Sequence, residues 1–199
     1  EGLTRAEKIW AIELAWIGGT LIMKSKMTKM FQVLQRNILR AISYIHEETY
    51  KELYPKYLRK IGINIAHDYR EGKAGYIHPS VYFDGTDYSL ISIGKNTTIS
   101  RDVIILTHDF SIVKGLKVIG RVPKGRFLKP VSIGENCFIG ARCMILPGTQ
   151  IGSNTICGGG AVLHGIIPPN SVVVGNPAKR ICSIEEWTNR HIEKNDFVQ

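Results

Sequence analysis

From Ile93 onward an aliphatic residue returns every six positions. Ile93, Ile99 and Ile105 form one run, and Ile133, Ile139, Ile145 and Ile151 form a second. Small residues follow at Gly94, Ser100, Gly134, Gly140, Gly152 and Gly158. A small or β-branched residue recurs four places on, at Thr97, Val103, Cys137, Cys143, Thr149, Thr155 and Ala161. A helix repeats its faces at about 3.6 residues and a strand at 2, so a strict six fits neither as a long element. The period predicts a solenoid. Each hexapeptide supplies a short strand with its aliphatic side chain inward, then a bend that small residues permit. Three faces close a triangular coil, and coils stack about 4.8 Å apart through parallel ladder bonds. Ile133 then lies against Ile151, and Ile139 against Cys157.

The repeat also accounts for the cysteines. Cys137 and Cys143 fall at inward small positions and Cys157 replaces an aliphatic, so all three read as core fillers before catalytic thiols. Cys182 lies beyond the repeat. Four cysteines without a CxxC pair argue against a zinc ribbon or a disulfide framework. With 199 residues, 44% hydrophobic and 22% charged, the chain can bury a core and is expected to form one domain with an appendage.

Residues 1–75 read as a helical segment ahead of the coil. The run 9–23 is the most apolar, but no small-x-small cleavage site follows it, which disfavours a signal peptide. It is short for a membrane span and holds Glu13 and Gly18-Gly19. An amphipathic helix docked on protein is the better reading, and a surface-lying membrane helix the lesser one. Residues 28–52 read as a second helix, with Met30, Phe31, Leu34, Ile38, Ala41, Ile42 and Ile45 at helical spacing. His46-Glu47-Glu48 opens an HExxH pattern, but Tyr50 stands where its second histidine belongs. The helices are expected to cap the first coil, whose strand edges are otherwise open.

The chain carries 26 Lys and Arg against 17 Asp and Glu, a formal net charge of +9, which favours an anionic partner. Between residues 110 and 130 stand Lys114, Lys117, Arg121, Lys124, Arg126 and Lys129 with no acid. A polyanion contact and a solvated loop explain that cluster equally well. The cluster falls where the repeat is interrupted, and His108 stands immediately before the interruption. Of the six histidines, His108 is the one at the root of a long excursion, where a cleft would form. His67 and His78 precede the regular coils and read as structural; His46 and His191 read as surface groups.

Three segments, ISIGKNTTISRDVIILTHD, PVSIGENCFIGARCMILPGTQIGSNTICGGGAVL and IPPNSVVVGNPAKRI, resemble the hexapeptide-repeat acyltransferases of left-handed parallel β-helix fold. The similarity is to the branch of galactoside, maltose and xenobiotic O-acetyltransferases. It implies a mainly β chain: a helical segment over 1–75, a β-helix over 76–181 with an excursion at 109–130, and a tail over 182–199 expected to form a short helix. It further implies acetyl-CoA as co-substrate, no metal, a hydroxyl acceptor, direct transfer in a ternary complex and a homotrimer. A hydroxyl needs a base to attack a thioester near neutral pH, and the family's catalytic histidine corresponds to His108. The partner that orients it stays open, since Asp109 in extended chain points its side chain away. Asp84 and Asp87 are acceptor-binding candidates, with a turn role as the plain alternative. For coenzyme A the resemblance implies Ala141 and Gly159 beside the pantetheine arm, and Lys179 and Arg180 near the 3′-phosphate. Arg142 is a further exposed positive candidate, and Phe138 stands where relatives often have Trp.

The acceptor is expected to be a sugar or glycan, with a capsular or cell-surface polysaccharide favoured by the helical amino terminus and the basic loop. A non-sugar acceptor such as serine or an antibiotic is the alternative, as is a non-catalytic scaffold on the same solenoid. A zinc hydro-lyase of this fold needs converging histidines, and the next after His108 is His164. Nucleic-acid binding rests on net charge alone, without an aromatic-basic platform. A cytoplasmic location is expected from the lack of a convincing signal and from the supply of acetyl-CoA.

Overall fold

The structure, a computed structural model, describes residues 26–66 and 75–198. The apolar run at 9–23 and His67 lie outside the described residues. Two units are present, divided between Ile38 and Leu39. Helix α1 (Lys26–Ile45) begins in the first, and the second holds helix α2 (Glu47–Lys60) and everything after it. The single helix expected over 28–52 is therefore two. At His46 the backbone leaves helical geometry (φ −148°), and the ring Nδ1 accepts from the Thr49 N–H, capping α2. Glu47 and Glu48 in the first turn and Arg59 and Lys60 in the last complement the helix dipole. No helix among the described residues is long and apolar enough to cross a membrane.

Short strands follow: β1 (Asn64–Ile65), β2 (Tyr82–Phe83), β3 (Ile91–Ile93), β4 (Thr98–Ile99) and β5 (Ile104–Ile105). Next come β6 (His108–Asp109), helix α3 (Ser111–Val118) and β7 (Phe127–Leu128). The coil resumes with β8 (Val131–Ile133), β9 (Phe138–Ile139), β10 (Met144–Ile145), β11 (Gln150–Ile151), β12 (Ile156–Cys157), β13 (Val162–Leu163) and β14 (Ile166–Ile167). Strands β15 (Ser171–Val174) and β16 (Lys179–Ser183) and helix α4 (Ile184–Lys194) complete the chain.

The strands form three sheets, one per face of the coil: β1-β3-β8-β11-β14, β4-β9-β12-β15 and β2-β5-β10-β13. All pairings within them are parallel, and β16 closes the second sheet antiparallel to β15. This is the three-faced parallel solenoid that the hexads predict, and the left-handed parallel β-helix that the family resemblance implies. Its registers stack Ile93, Ile133, Ile151 and Ile167 on the first face, and Ile99, Ile139, Cys157 and Val173 on the second. The third stacks Phe83, Ile105, Ile145 and Leu163. Ile99, Ile105, Ile139, Ile145, Cys157 and Leu163 have no exposed surface. Each such aliphatic side chain stabilises the fold by about 1.5–3 kcal/mol relative to exposure. Cys137, Cys143 and Cys182 are buried as well. Burial pushes the Cys137, Cys143 and Cys157 thiols up, away from the nucleophilic thiolate.

The small residue after each aliphatic meets the next coil's backbone. A Cβ on Gly134 would lie 2.5 Å from the Ser153 nitrogen, and one on Gly140 2.6 Å from the Gly159 nitrogen. One corner turns through left-handed residues Asn96, Asn136, Asn154 and Asn170, with φ of 53°, 54°, 57° and 56°. Their side-chain amides form a ladder, each Nδ2 donating to the Oδ1 of the next at 2.9 Å. Asparagine tolerates this backbone, and the ladder also satisfies its amide.

The first coil is covered by α2, whose Tyr50, Tyr54 and Leu58 are buried in one cluster with Ile63, Ile65 and Ile77. The Tyr50 hydroxyl donates to the Ile77 carbonyl at 2.6 Å. At the other end a capping box holds the start of α4, with Ser183 Oγ accepting from the Glu186 N–H and Glu186 Oε2 from the Ser183 N–H.

Candidate active site

The third corner, between the third and first faces, is where the coil opens. After Ile105 the chain leaves through Thr107 and returns at Lys129, whose N–H donates to the Thr107 carbonyl at 2.9 Å. Strands β6 and β7 pair antiparallel at the root, His108 opposite Leu128 and Asp109 opposite Phe127. Helix α3 forms the outer part, and residues 117–130 are all exposed.

His108 stands at this root with its side chain 28% exposed. Beneath it lies Asp84, 2% exposed, from the corner of the preceding coil. Asp84 Oδ2 accepts from the Thr107 N–H (2.9 Å), the Thr107 hydroxyl (2.9 Å) and the His108 N–H (3.0 Å), and it bonds His108 Nδ1. Oδ1 accepts from the Thr86 N–H at 3.1 Å. Burial by itself would raise this carboxyl. The donors on it, led by the Thr107 N–H and the His108 ring, outweigh burial and hold it well below the usual carboxylate range. An ionised Asp84 keeps the proton on Nδ1, which leaves the lone pair on Nε2. Thr86 Oγ1 lies 2.9 Å from Nδ1, and no described residue hydrogen-bonds Nε2. Phe110 meets the imidazole edge-to-face, centroids 5.4 Å apart. A ring so held can accept a proton at one atom without rotating.

The structure separates the two acidic candidates. Asp84 is buried under the imidazole with both oxygens engaged, so it is not an exposed carboxylate of the kind expected to grip an acceptor. Asp87 is exposed and caps the 3-10 turn Tyr88–Leu90, its Oδ1 accepting from the Ser89 N–H and hydroxyl. Asp109 Oδ1 accepts from the Ser111 N–H at 2.6 Å. The sequence reading did not single out Thr86, Thr107 or Phe110. Adjacency to His108 marked Thr107 only weakly, and nothing local marked Thr86.

Ala141 and Gly159 lie on a different corner, between the second and third faces. They stand opposite one another in neighbouring coils, and the Gly160 N–H donates to the Ala141 carbonyl at 2.8 Å. A Cβ at Gly159 would approach that carbonyl to 3.2 Å. The register of β12 with β15 continues this edge to Gly175. Lys179 and Arg180 follow on β16, both exposed and opposite Val174 and Val173, with Arg180 Nε donating to Ser171 Oγ at 3.3 Å. Arg142 is exposed at the left-handed position of the same corner (φ 61°), and Phe138 is 46% exposed. The edge of Ala141 and the corner of His108 thus border one sheet, the third. Among the described residues no group of three or more His, Cys, Asp or Glu side chains could hold a metal ion.

A family profile for the hexapeptide repeat of succinyl-transferase matches residues 130–164. The putative acetyltransferase YvoF of Bacillus subtilis is 31% identical over 83% of this chain and 82% of its own length. The chain belongs to the hexapeptide-repeat acetyltransferases. The galactoside O-acetyltransferase of Escherichia coli is 30% identical to this acetyltransferase over 64% of the chain and 70% of its own length. A solved galactoside acetyltransferase in complex with coenzyme A shares the fold at a TM-score of 0.53 and 21% identity, over 94% of each chain. The curated relatives identify the acetyltransferase family, and in this chain the buried Asp84 and the partly exposed His108 meet at the third corner.

Proposed function

We propose that this acetyltransferase moves an acetyl group from acetyl-CoA directly to a hydroxyl of a sugar or glycan, with His108 as general base. The observation that carries the reading is a partly exposed imidazole whose Nδ1 is tied to the buried Asp84 carboxyl. As the acceptor oxygen attacks the thioester carbonyl, Nε2 takes its proton. The tetrahedral oxyanion collapses, the C–S bond breaks, and the thiolate leaves with the proton returned by the imidazolium. Asp84 acts as a positioning residue: it fixes the tautomer and stabilises the imidazolium. Asp87 stays a candidate for acceptor contact. Relatives named galactoside O-acetyltransferase and putative lipopolysaccharide biosynthesis O-acetyl transferase support a sugar acceptor.

Ala141 and Gly159 line the pantetheine path in this reading, and Lys179 and Arg180 meet the phosphate end. The family's structures with coenzyme A or acetyl-CoA bound support that donor. The third sheet between the two edges presents Tyr82, 51% exposed, and the half-buried Ile104, Met144 and Val162. Such a face suits apposition to a second copy, which supports a homotrimer with sites between chains. The reaction then takes place in the cytoplasm, where acetyl-CoA is supplied.

The test is acetyl transfer to a panel of sugars and glycans, read by product mass, with His108→Ala beside the wild type. The variant should lose roughly 10²–10⁴-fold in kcat while still binding coenzyme A. Equal transfer by both proteins would remove His108 from the role. Failure of the wild type both to transfer and to bind coenzyme A would favour the scaffold.

A further inference from the structure

The excursion at the third corner holds six cations in 21 residues, Lys114, Lys117, Arg121, Lys124, Arg126 and Lys129, without one acid. None forms an ion pair with an acid among the described residues, whereas Lys51 and Lys56 on α2 both do. Two of the six are held against aromatic rings of the excursion. Arg126 Cζ sits 5.9 Å from the centroid of Phe110, the ring that meets His108 edge-to-face. Lys129 runs its stem along Gly148, its Cδ 3.0 Å from where a Cβ there would stand, and holds Nζ 5.6 Å from the Phe127 ring. Phe127 is itself paired with Asp109 at the root. Phe110, Phe127 and Tyr82 are 54%, 39% and 51% exposed.

Exposed aromatic faces accept the C–H face of a sugar ring, and guanidinium and ammonium groups pair with a carboxylate or phosphate borne on it. The cations of the donor edge, Lys179 and Arg180, lie on β16 beyond the last coil, where the far end of a pantetheine arm can reach. Arg126 is one ring from the imidazole, where the donor presents its uncharged thioester, so its counter-ion comes from the other substrate. We infer that the excursion forms an acceptor subsite for an anionic sugar, with Arg126 and Lys129 pairing to its acidic group and Phe110 and Phe127 bordering its ring. The inference rests on the O-acetyltransferase reading for its context, but binding alone decides it.

The experiment measures affinity of the coenzyme A-loaded protein for a galacturonic acid oligomer and for its methyl ester, which has the same shape without the charge. A sugar phosphate and its parent sugar form a second matched pair. At least one acidic probe should bind on the order of tenfold tighter than its neutral match. Arg126→Gln and Lys129→Gln should each lose most of that advantage, and added salt should erode it. Arg190→Gln, on the exposed far helix α4, should keep it. Equal binding of acid and neutral forms in both pairs overturns the inference. So does an equal loss in Arg190→Gln, which assigns the effect to overall charge. A parallel loss of coenzyme A affinity in Arg126→Gln also overturns it, since the cations then serve the donor. A protein that binds no coenzyme A defeats the acetyltransferase reading instead, and the oligomer titration run without it still decides the subsite.

Discussion

The coil and the excursion are opposite solutions to holding a chain in place. In the coil two side chains of every six are buried, each stacked on its counterpart in the next turn, and Ile99, Ile139 and Cys157 share one sealed column. In the excursion Val118, Ile119 and Val122 are 86%, 66% and 77% exposed, and the backbone is held mainly by its own helix and the root pairing. The coil repeats one packing rule, so its sequence is constrained everywhere. The excursion obeys no such rule and leaves its surface open to be shaped by a ligand. His108 sits at the junction and takes rigidity from the one and access from the other.

That contrast predicts a graded series. Ile139→Ala removes the middle of a sealed column and should destabilise the fold by about 2–5 kcal/mol in denaturant unfolding. A loss under about 1 kcal/mol would mean that the column is not tightly stacked. Asp84→Asn should lower kcat roughly tenfold to hundredfold, because the amide no longer fixes the tautomer. Asp84 has its carboxyl lowered in the folded state, so its ionisation stabilises the fold at neutral pH. The wild type's stability advantage over Asp84→Asn should therefore shrink as the pH falls below about 4. An advantage that grows in acid would contradict the buried carboxylate. Asn136→Ala breaks two rungs of the amide ladder and puts a Cβ-bearing residue without a polar side chain in left-handed backbone. A loss of about 1–2 kcal/mol is expected. Smallest is Val122→Ser in the excursion, which should change stability by less than about 0.5 kcal/mol. A larger change would show that the loop is packed.

The coil could be read from sequence because its period is strict and each hexad carries the same small set of residues. The asparagine ladder could have been read by the same logic, since IGKN, IGEN and IGSN repeat the residue three places after the aliphatic. The partner of His108 could not. Asp84 reaches it from a coil interrupted by the 3-10 turn Tyr88–Leu90, and β2 pairs with β5 across 22 positions, not 18. Hexad counting therefore fails where it would locate the carboxylate. The break at His46 was hidden for another reason: apolar spacing continues up to it at Ile42 and Ile45, and the cap is a histidine bonding the Thr49 N–H instead of one of the usual capping residues.

Because Lys129 bonds back to Thr107, the excursion enters and leaves the coil through neighbouring backbone positions. Such a junction behaves as a cassette socket. A segment of different length or composition can be spliced between these two residues at an entropic cost that grows only slowly with length. On the acceptor-subsite inference, transplanting this one contiguous stretch should exchange acceptor preference while the coils beneath are left unedited.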